Sequence, residues 1–501
     1  MDDGRERDGR RPRVIVVGAG FGGIAVAAEL LRHGLDDVIL LEAAPGAGGT
    51  WHHNRYPGAA CDVPSHLYSY SFAQRPDWTH LFSYQPEILA YLRRTADSLG
   101  ITPRIVTGTE VTACTWDDRS CTWTVRSRRT DTTGPYEERV ADALVLATGQ
   151  LDKPSFPAVE GLSRFAGRSF HSARWDDTYD LRGKRVAVIG TGASAAQLVP
   201  EIAPQAARLT VFQRTGNWFL PRSDRPTPAL LARVLRRLPV ARRAWRGLLH
   251  HGIELITLCV RHPRTVGRIG AAVSAAHMRR QLPDPELRRK AWPDHPFGCK
   301  RVLLSSDFLP ALRRPDTELV TDRIVRMEPE GPVTADGRRH DVDCVIYATG
   351  FRTNTFMLPM RVTGRGGRTV EDAWSDGAQA HLGITVSGFP SMFLMYGPNT
   401  NTSGGSILFF LEAQAAYVRR ALQLTLRTGA AALDVRPEAQ ARGLARLRAR
   451  FAGTAWTACT SWYRTGDGRN VANWPGYMGE YAEQTRRVDP SEYHLIRAPR
   501  P

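Results

Sequence analysis

Glu42 closes the apolar run Val38-Ile-Leu-Leu41 and follows the loop Gly18-Ala-Gly20-Phe-Gly-Gly23 at about the 20-residue spacing of a dinucleotide-binding fingerprint. A carboxylate there accepts hydrogen bonds from a ribose diol and repels a 2′-phosphate, which favours FAD or NAD. The loop itself follows Val14-Ile-Val-Val17 and opens an Ala-rich helical pattern. Glycines permit close backbone approach to a pyrophosphate, whose charge sits at the helix N-terminus. A second loop, Gly190-Thr-Gly192-Ala-Ser194-Ala195, follows Val186-Ala-Val-Ile189, and its second strand, Leu209-Thr-Val-Phe212, leads into Gln213-Arg214-Thr215. A guanidinium and a hydroxyl in place of the acid make charge-assisted hydrogen bonds to a phosphate, so this site reads as selective for NADPH over NADH. Two nucleotide sites on one chain imply electron transfer from one bound cofactor to another.

The elements that position these loops predict an α/β fold of two Rossmann-like dinucleotide-binding domains, the NADPH domain inserted in the FAD domain, with a small helical insertion. Ala143-Leu-Val-Leu-Ala-Thr148-Gly149 and Cys344-Val-Ile-Tyr-Ala-Thr349-Gly350 end in the same phrase and resemble the strand-to-loop turn at which two-nucleotide flavoproteins pass the chain between domains. The expected divisions are a flexible tail over 1–12, a first FAD-binding part over 13–150, an NADP-binding domain over 151–327, a second FAD-binding part over 328–490 and a C-terminal tail over 491–501. Residues from about 222 to 296 break the strand–helix alternation, with Ala, Leu and Arg at helical spacing and stops at Pro239, Pro263, Pro283 and Pro285. This insertion is expected to shape substrate access. No internal repetition extends beyond the two Rossmann-like units.

A chain of 501 residues with 42% hydrophobic residues can bury two or three cores. The net charge of +17 is mostly scattered arginine, as in Arg233 to Arg246 and Arg436 to Arg450, and no nucleic-acid-binding signature accompanies it, so no nucleic-acid partner is expected. Seven cysteines, without a regular framework, point to a reducing compartment. Flavin disulfide reductases, which also pair FAD with NADPH, need two close redox cysteines. The closest pair here is Cys114 and Cys121, which argues against that class. No apolar signal region or membrane-spanning run occurs, so a cytoplasmic protein is expected, with no integral membrane segment, no metal site and no obligatory protein partner.

Between the two loops lies Phe165-x-Gly167-x-x-x-His171-x-x-x-Trp175-Asp176, which resembles the fingerprint of type I Baeyer–Villiger monooxygenases. Related flavin monooxygenases that oxidise nitrogen or sulfur share its first part but lack the Trp-Asp ending. Gly49-Thr50-Trp51-His-His-Asn-Arg-Tyr56-Pro57-Gly58-Ala-Ala-Cys-Asp62 is similar to a second family motif. Phe297-Gly-Cys299-Lys300-Arg301 resembles the catalytic loop, and Trp456-Thr-Ala-Cys459-Thr-Ser-Trp462-Tyr463 with Asn470, Trp474 and Pro475 resembles the C-terminal segment.

The resemblance implies an NADPH- and oxygen-dependent flavoprotein that converts a small-molecule ketone to an ester or lactone through a flavin C(4a)-peroxide. It gives Arg301 the task of stabilising anionic oxygen, since arginine keeps its proton under all relevant conditions. Asp62 becomes the partner that holds the guanidinium, Lys300 helps Arg214 and Thr215 with the 2′-phosphate, Trp51 lies beside the flavin ring and Trp474 near the nicotinamide ribose. His171 is expected to couple domain motion to NADP(H) binding. A departure is Asp307-Phe308-Leu309, where many relatives carry a Tyr pair, and it is expected to alter a stretch of pocket wall. The alternatives are a nitrogen- or sulfur-oxidising flavin monooxygenase and a non-catalytic FAD/NADPH redox sensor. Pocket shape is expected to depend on the insertion and on loops near Thr400 to Ser406 and Arg361 to Arg368.

Overall fold

The structure is a computed structural model that describes residues 11–498 apart from 133, 354, 355 and 358. Most of the expected N-terminal tail, and the last three residues of the C-terminal one, lie outside the described residues.

Short Val/Ile/Leu/Ala runs form the two central sheets, because a parallel strand covered on both faces must be apolar along its whole length. In the first sheet the order is Met392–Leu394, Ala143–Leu146, Val14–Val17, Val38–Leu41 and Ile105–Val106, all parallel. The second runs Thr317–Val320, Arg208–Phe212, Arg185–Ile189, Cys344–Tyr347 and Arg168–His171, again all parallel. Val16, Val145 and Leu40 are buried in one core, and Val186, Val188 and Ile346 in another. An antiparallel sheet of Thr109–Asp117, Thr122–Arg129 and Glu137–Ala141 flanks the first domain.

One expected boundary moves. Cys344–Tyr347 pairs with both Arg185–Ile189 and Arg168–His171, so it belongs to the second sheet, and the return to the first domain comes near residue 350 rather than at 328. The Ala-Thr-Gly phrase recurs at the end of a strand in each sheet, and the second copy closes the inserted domain. Gly18 (φ +104°) and Gly190 (φ +108°) show what each phrase does: a Cβ would meet the Ala147 oxygen at 2.6 Å and the Ala348 oxygen at 2.5 Å. Each glycine loop therefore passes directly over the Ala-Thr-Gly turn of its neighbouring strand, a fit open only to glycine.

The insertion folds as helices Ala229–Arg237, Pro239–Arg261, Val266–Gln281 and Pro285–Ala291. Its second helix packs inward at its C-terminal end, where Cys259 meets Phe297 and Val302 while Val260 meets Trp456 and Tyr463.

Candidate active site

Both glycine loops end at helices whose N-termini no side chain caps, Phe21–Leu31 after Gly20 and Ala193–Ile202 after Gly192. The first N–H groups of a helix have no partner within it, so each end offers donors to a pyrophosphate. A Cβ on Gly192 would meet nothing within 4 Å, which leaves room for that group. Gly20 and Gly49 approach each other closely, bringing Thr50 and Trp51 to the first loop. Glu42 is buried, accepting from the Ala19 amide at 2.7 Å and the Ala44 amide at 2.8 Å. Burial pushes its carboxyl upward, and the two amides oppose that. Two engaged oxygens still leave lone pairs for a ribose diol. Trp51 is buried, its indole N–H bonded to the Tyr68 hydroxyl at 3.0 Å.

At the second loop, Ser194 faces the Tyr56 hydroxyl and Ala195 is buried. Arg214 is exposed at the end of its strand, Thr215 is half-buried, and Lys300 lies close enough to feel the Arg214 charge. Burial first, and Arg214 with it, lowers the Lys300 pKa, while Asp294 opposes them. Two cations from distant parts of the chain at one place suit a dianionic phosphate.

Arg301 and Asp62 meet, although 239 residues separate them. Arg301 donates from Nε to Asp62 Oδ2 at 3.1 Å and from a terminal nitrogen to the same oxygen. The guanidinium is closely surrounded by the protein, yet the Arg301 side chain keeps 44% of its surface open. The Asp62 charge is the largest cause holding its proton more firmly than in free arginine. Tyr463 and Tyr396 stand beside it. Burial pushes both phenols up to about 12, the nearby cation opposing the rise, so both stay protonated as donors. The Tyr396 hydroxyl donates to Asn401 (2.9 Å), which bonds Asn473 (3.0 Å), while Asn399 bonds the Asn470 and Asn473 carbonyls, so an amide network holds the loop against the C-terminal segment.

A disulfide also reaches this place. Cys299, two residues before Arg301, is bonded to Cys459, clamping the arginine loop to the segment that carries Tyr463. The seven cysteines without a regular framework pointed to a reducing compartment and to no particular pairing. The partners lie 160 residues apart, a separation that leaves no short-range signal.

The Asp62 motif has a structural reason for its glycine. At Gly58 (φ +77°) a Cβ would meet the Gln197 carbonyl oxygen at 2.6 Å, because this loop lies against helix Ala193–Ile202 of the other domain. The Gln197 side chain accepts from the Tyr56 hydroxyl (2.9 Å) and the Ala60 amide (3.3 Å), and donates to the Ala60 carbonyl (2.9 Å). Nothing in the local sequence pattern singled out Gln197.

Of the fingerprint, His171 is buried and its Nδ1 accepts from the Ala173 amide at 3.1 Å. Burial lowers its pKa to about 4, so the ring is neutral near pH 7. It meets Phe156 and Phe351 edge-on, one from each chain crossing between the domains. Those crossings bond to each other through the Ser155 amide and the Gly350 carbonyl at 2.9 Å. Gly167 passes under the Phe165 ring and the Asp343 carbonyl, and Trp175 stands edge-on to Phe170. Asp176 accepts from Thr178 and Arg168, which lower its pKa.

Two expectations need correction. Trp474 is 4% exposed, with Arg450 over its ring, Tyr481 edge-on and its N–H bonded to the Tyr477 carbonyl, so no ring face remains for a nicotinamide ribose. In the same segment Trp462 is 45% exposed and packs on Tyr463. Phe308 and Leu309 form no pocket wall: both are buried in the second core, where Phe308 stacks on Phe219. Of the two loops expected to shape the pocket, that at Thr400 to Ser406 touches the insertion through Thr257 Oγ1 and the Gly404 carbonyl. The other, Arg361 to Arg368, is tied through Arg365 to Asp118, in the turn of the antiparallel sheet, and to Asp434 on the separate strand Ala432–Val435.

Two glycine loops, one on each parallel sheet, with an arginine held by a carboxylate of the other domain, define a two-nucleotide redox protein. Residues 11–236 match the flavin-binding monooxygenase-like family. A Baeyer–Villiger monooxygenase of Streptomyces coelicolor is 42% identical over 97% of this chain and 93% of its own length. Among solved structures, OTEMO in complex with FAD and NADP has a TM-score of 0.84 at 27% identity, covering 97% of this chain and all of its own. A closed crystal structure of cyclohexanone monooxygenase has a TM-score of 0.87 at 27% identity, covering 98% of this chain and all of its own. The chain belongs to the Baeyer–Villiger monooxygenases.

Proposed function

We propose that this protein binds FAD at the Gly18 loop and NADPH at the Gly190 loop, and inserts one atom of molecular oxygen beside a ketone carbonyl to give an ester or lactone. The Arg301–Asp62 pair carries this reading. Flavin, when bound, supplies the electrons taken from NADPH and the activation of oxygen. Everything else falls to the chain. Gly18, Gly20 and the uncapped helix end hold the first pyrophosphate, and Glu42 the ribose; Gly190, Gly192 and Ser194 hold the second, with Arg214, Thr215 and Lys300 at the 2′-phosphate. Arg301 supplies a fixed positive charge toward the cleft, where anionic oxygen gains most from a preorganised cation. Asp62 positions that cation through one oxygen, so the guanidinium keeps other N–H groups for substrate oxygen. Tyr396 and Tyr463, as neutral phenols, take no charge from it. The nitrogen- or sulfur-oxidising alternative has no use for a cation that favours an anionic oxidant, and a redox sensor has no use for one held at the cleft.

The test is product analysis of the holoprotein supplied with NADPH and a panel of cyclic, aromatic and long-chain ketones. Ester or lactone with one added oxygen is expected. Arg301→Ala is expected to lower its formation at least about a hundredfold while flavin reduction by NADPH survives, the size expected when a fixed oxyanion-stabilising group is removed. Lactone at the parental rate in that variant would refute the role of Arg301, and hydrogen peroxide alone with every ketone would refute the reaction.

A further inference from the structure

We infer that the outer face of the helical insertion docks this protein on the surface of an anionic lipid bilayer. Residues 229–281 carry eleven arginines and one carboxylate, Glu254, so this stretch supplies ten of the chain's seventeen excess positive charges. The same stretch holds seven of the fifteen large apolar side chains that stand exposed among the described residues. These two excesses coincide on outward-facing helix surfaces. On Pro239–Arg261, Val240, Ala244, Leu248, His251 and Leu255 are exposed and recur at spacings of four, four, three and four, a single stripe along the helix. Val240, Leu248 and Leu255 are 73%, 64% and 59% exposed. On Val266–Gln281 the exposed positions Ile269, Ala272, Val273 and Ala276 form a second such stripe. A surface helix of a water-facing protein turns its polar side outward; these turn apolar side chains outward and border them with arginine. Arg233, Arg237, Arg243, Arg264 and Arg268 are exposed and have no ion-pair partner among the described residues.

Charge selects the occupant. A second copy would bring the same excess of ten positive charges to the contact, which opposes self-association. Nucleic acid would satisfy the guanidinium groups and leave Val240, Leu248, Leu255, Ile269 and Val273 in water, with no exposed Phe, Tyr or Trp on either stripe to stack on a base. An anionic bilayer satisfies both features: the aliphatic tips enter the acyl boundary while arginines meet lipid phosphates. No helix among the described residues is long and apolar enough to cross a membrane, so the contact is interfacial. Its position relative to the arginine loop is direct. The far end of Pro239–Arg261 packs through Cys259 and Val260 on the residues around Arg301, so the docked face and the cleft share one helix.

The experiment is co-sedimentation of the FAD-loaded protein with vesicles of equimolar phosphatidylglycerol and phosphatidylcholine, or of phosphatidylcholine alone. The wild type is expected to pellet with the anionic vesicles and to bind the neutral ones at least about tenfold more weakly. Leu248→Ser with Leu255→Ser, and separately Arg233→Gln with Arg237→Gln and Arg243→Gln, are each expected to weaken anionic-vesicle binding at least about tenfold at unchanged FAD content. Absence of wild-type binding, or both variants pelleting like the wild type, would overturn the inference. So would a dimer in sedimentation velocity that the leucine variant splits, or capture of duplex DNA that the arginine variant loses and the leucine variant keeps.

Discussion

Arg214 and Lys300, proposed above to hold the 2′-phosphate, come from a strand end and from the arginine loop, and the Arg214 charge disfavours that of Lys300 until an anion lies between them. Arg214→Ala should therefore raise the KM for NADPH by about 10- to 100-fold, the loss of a charge-assisted hydrogen bond of about 1.5–3 kcal/mol, and leave the KM for NADH nearly unchanged. Flavin reduction with both nucleotides checks this, and equal losses would count against the assignment. His171 makes a different kind of prediction. Burial lowers its pKa from 6.5 to about 4, so between those values the unfolded chain binds the proton and the folded chain does not. Stability is complete above pH 6.5 and declines as the pH falls toward 4, by an amount on the order of 3 kcal/mol. His53, also lowered to about 4 by burial, adds to the slope. Thermal midpoints measured from pH 7 to 4.5 should fall less steeply for His171→Asn than for the wild type; parallel curves would remove His171 as a source of the acid sensitivity.

The elements divide into those with a local cause and those with a distant one. Val14–Val17 and Arg185–Ile189 were legible because an apolar run, a glycine turn and an Ala-rich helix follow one another within a few residues. Glu42 and Arg214 followed from their places at strand ends. The Cys299–Cys459 bond and the burial of Trp474 and Phe308 were not legible, because each depends on a surface that another part of the chain supplies. The boundary near 350 was misplaced for a related reason: identical Ala-Thr-Gly turns serve both sheets, and only strand pairing tells which sheet each closes. The disulfide has a measurable consequence. It joins the loop of Arg301 to a segment far along the chain, closing a large loop in the unfolded state, and its removal should cost about 2–5 kcal/mol. Cys459→Ser should lower the thermal midpoint, and reductant should bring the wild type down to the same value. Identical midpoints with and without reductant would show that the bond does not form in the folded protein.

At the scale of the whole molecule, the chemistry requires two nucleotide sites on separate sheets to cooperate at one cleft, so the contacts between domains matter as much as the cleft. Two structures make that contact. The paired crossings, with His171 edge-on to Phe156 and Phe351, form the covalent joint. Gln197 forms the second: from the helix that opens at the Gly190 loop, its side-chain amide takes up Tyr56 and Ala60, which flank Gly58, and Ala60 lies two residues before Asp62. A shift of that helix is thereby felt by the carboxylate that holds Arg301. Gln197→Ala breaks all three hydrogen bonds without touching either glycine loop. Because the substitution leaves buried polar groups without their partner, the net cost should be about 1–3 kcal/mol in thermal unfolding. FAD content should be unchanged, flavin reduction at saturating NADPH should slow several-fold, and ester formation per NADPH consumed should fall as Arg301 loses its fixed position. Stopped-flow reduction together with product yield separates these effects. Reduction and coupling both at wild-type values would mean that the domains are held in register by the paired crossings alone, and that the close approach at Gly58 is packing without a part in catalysis.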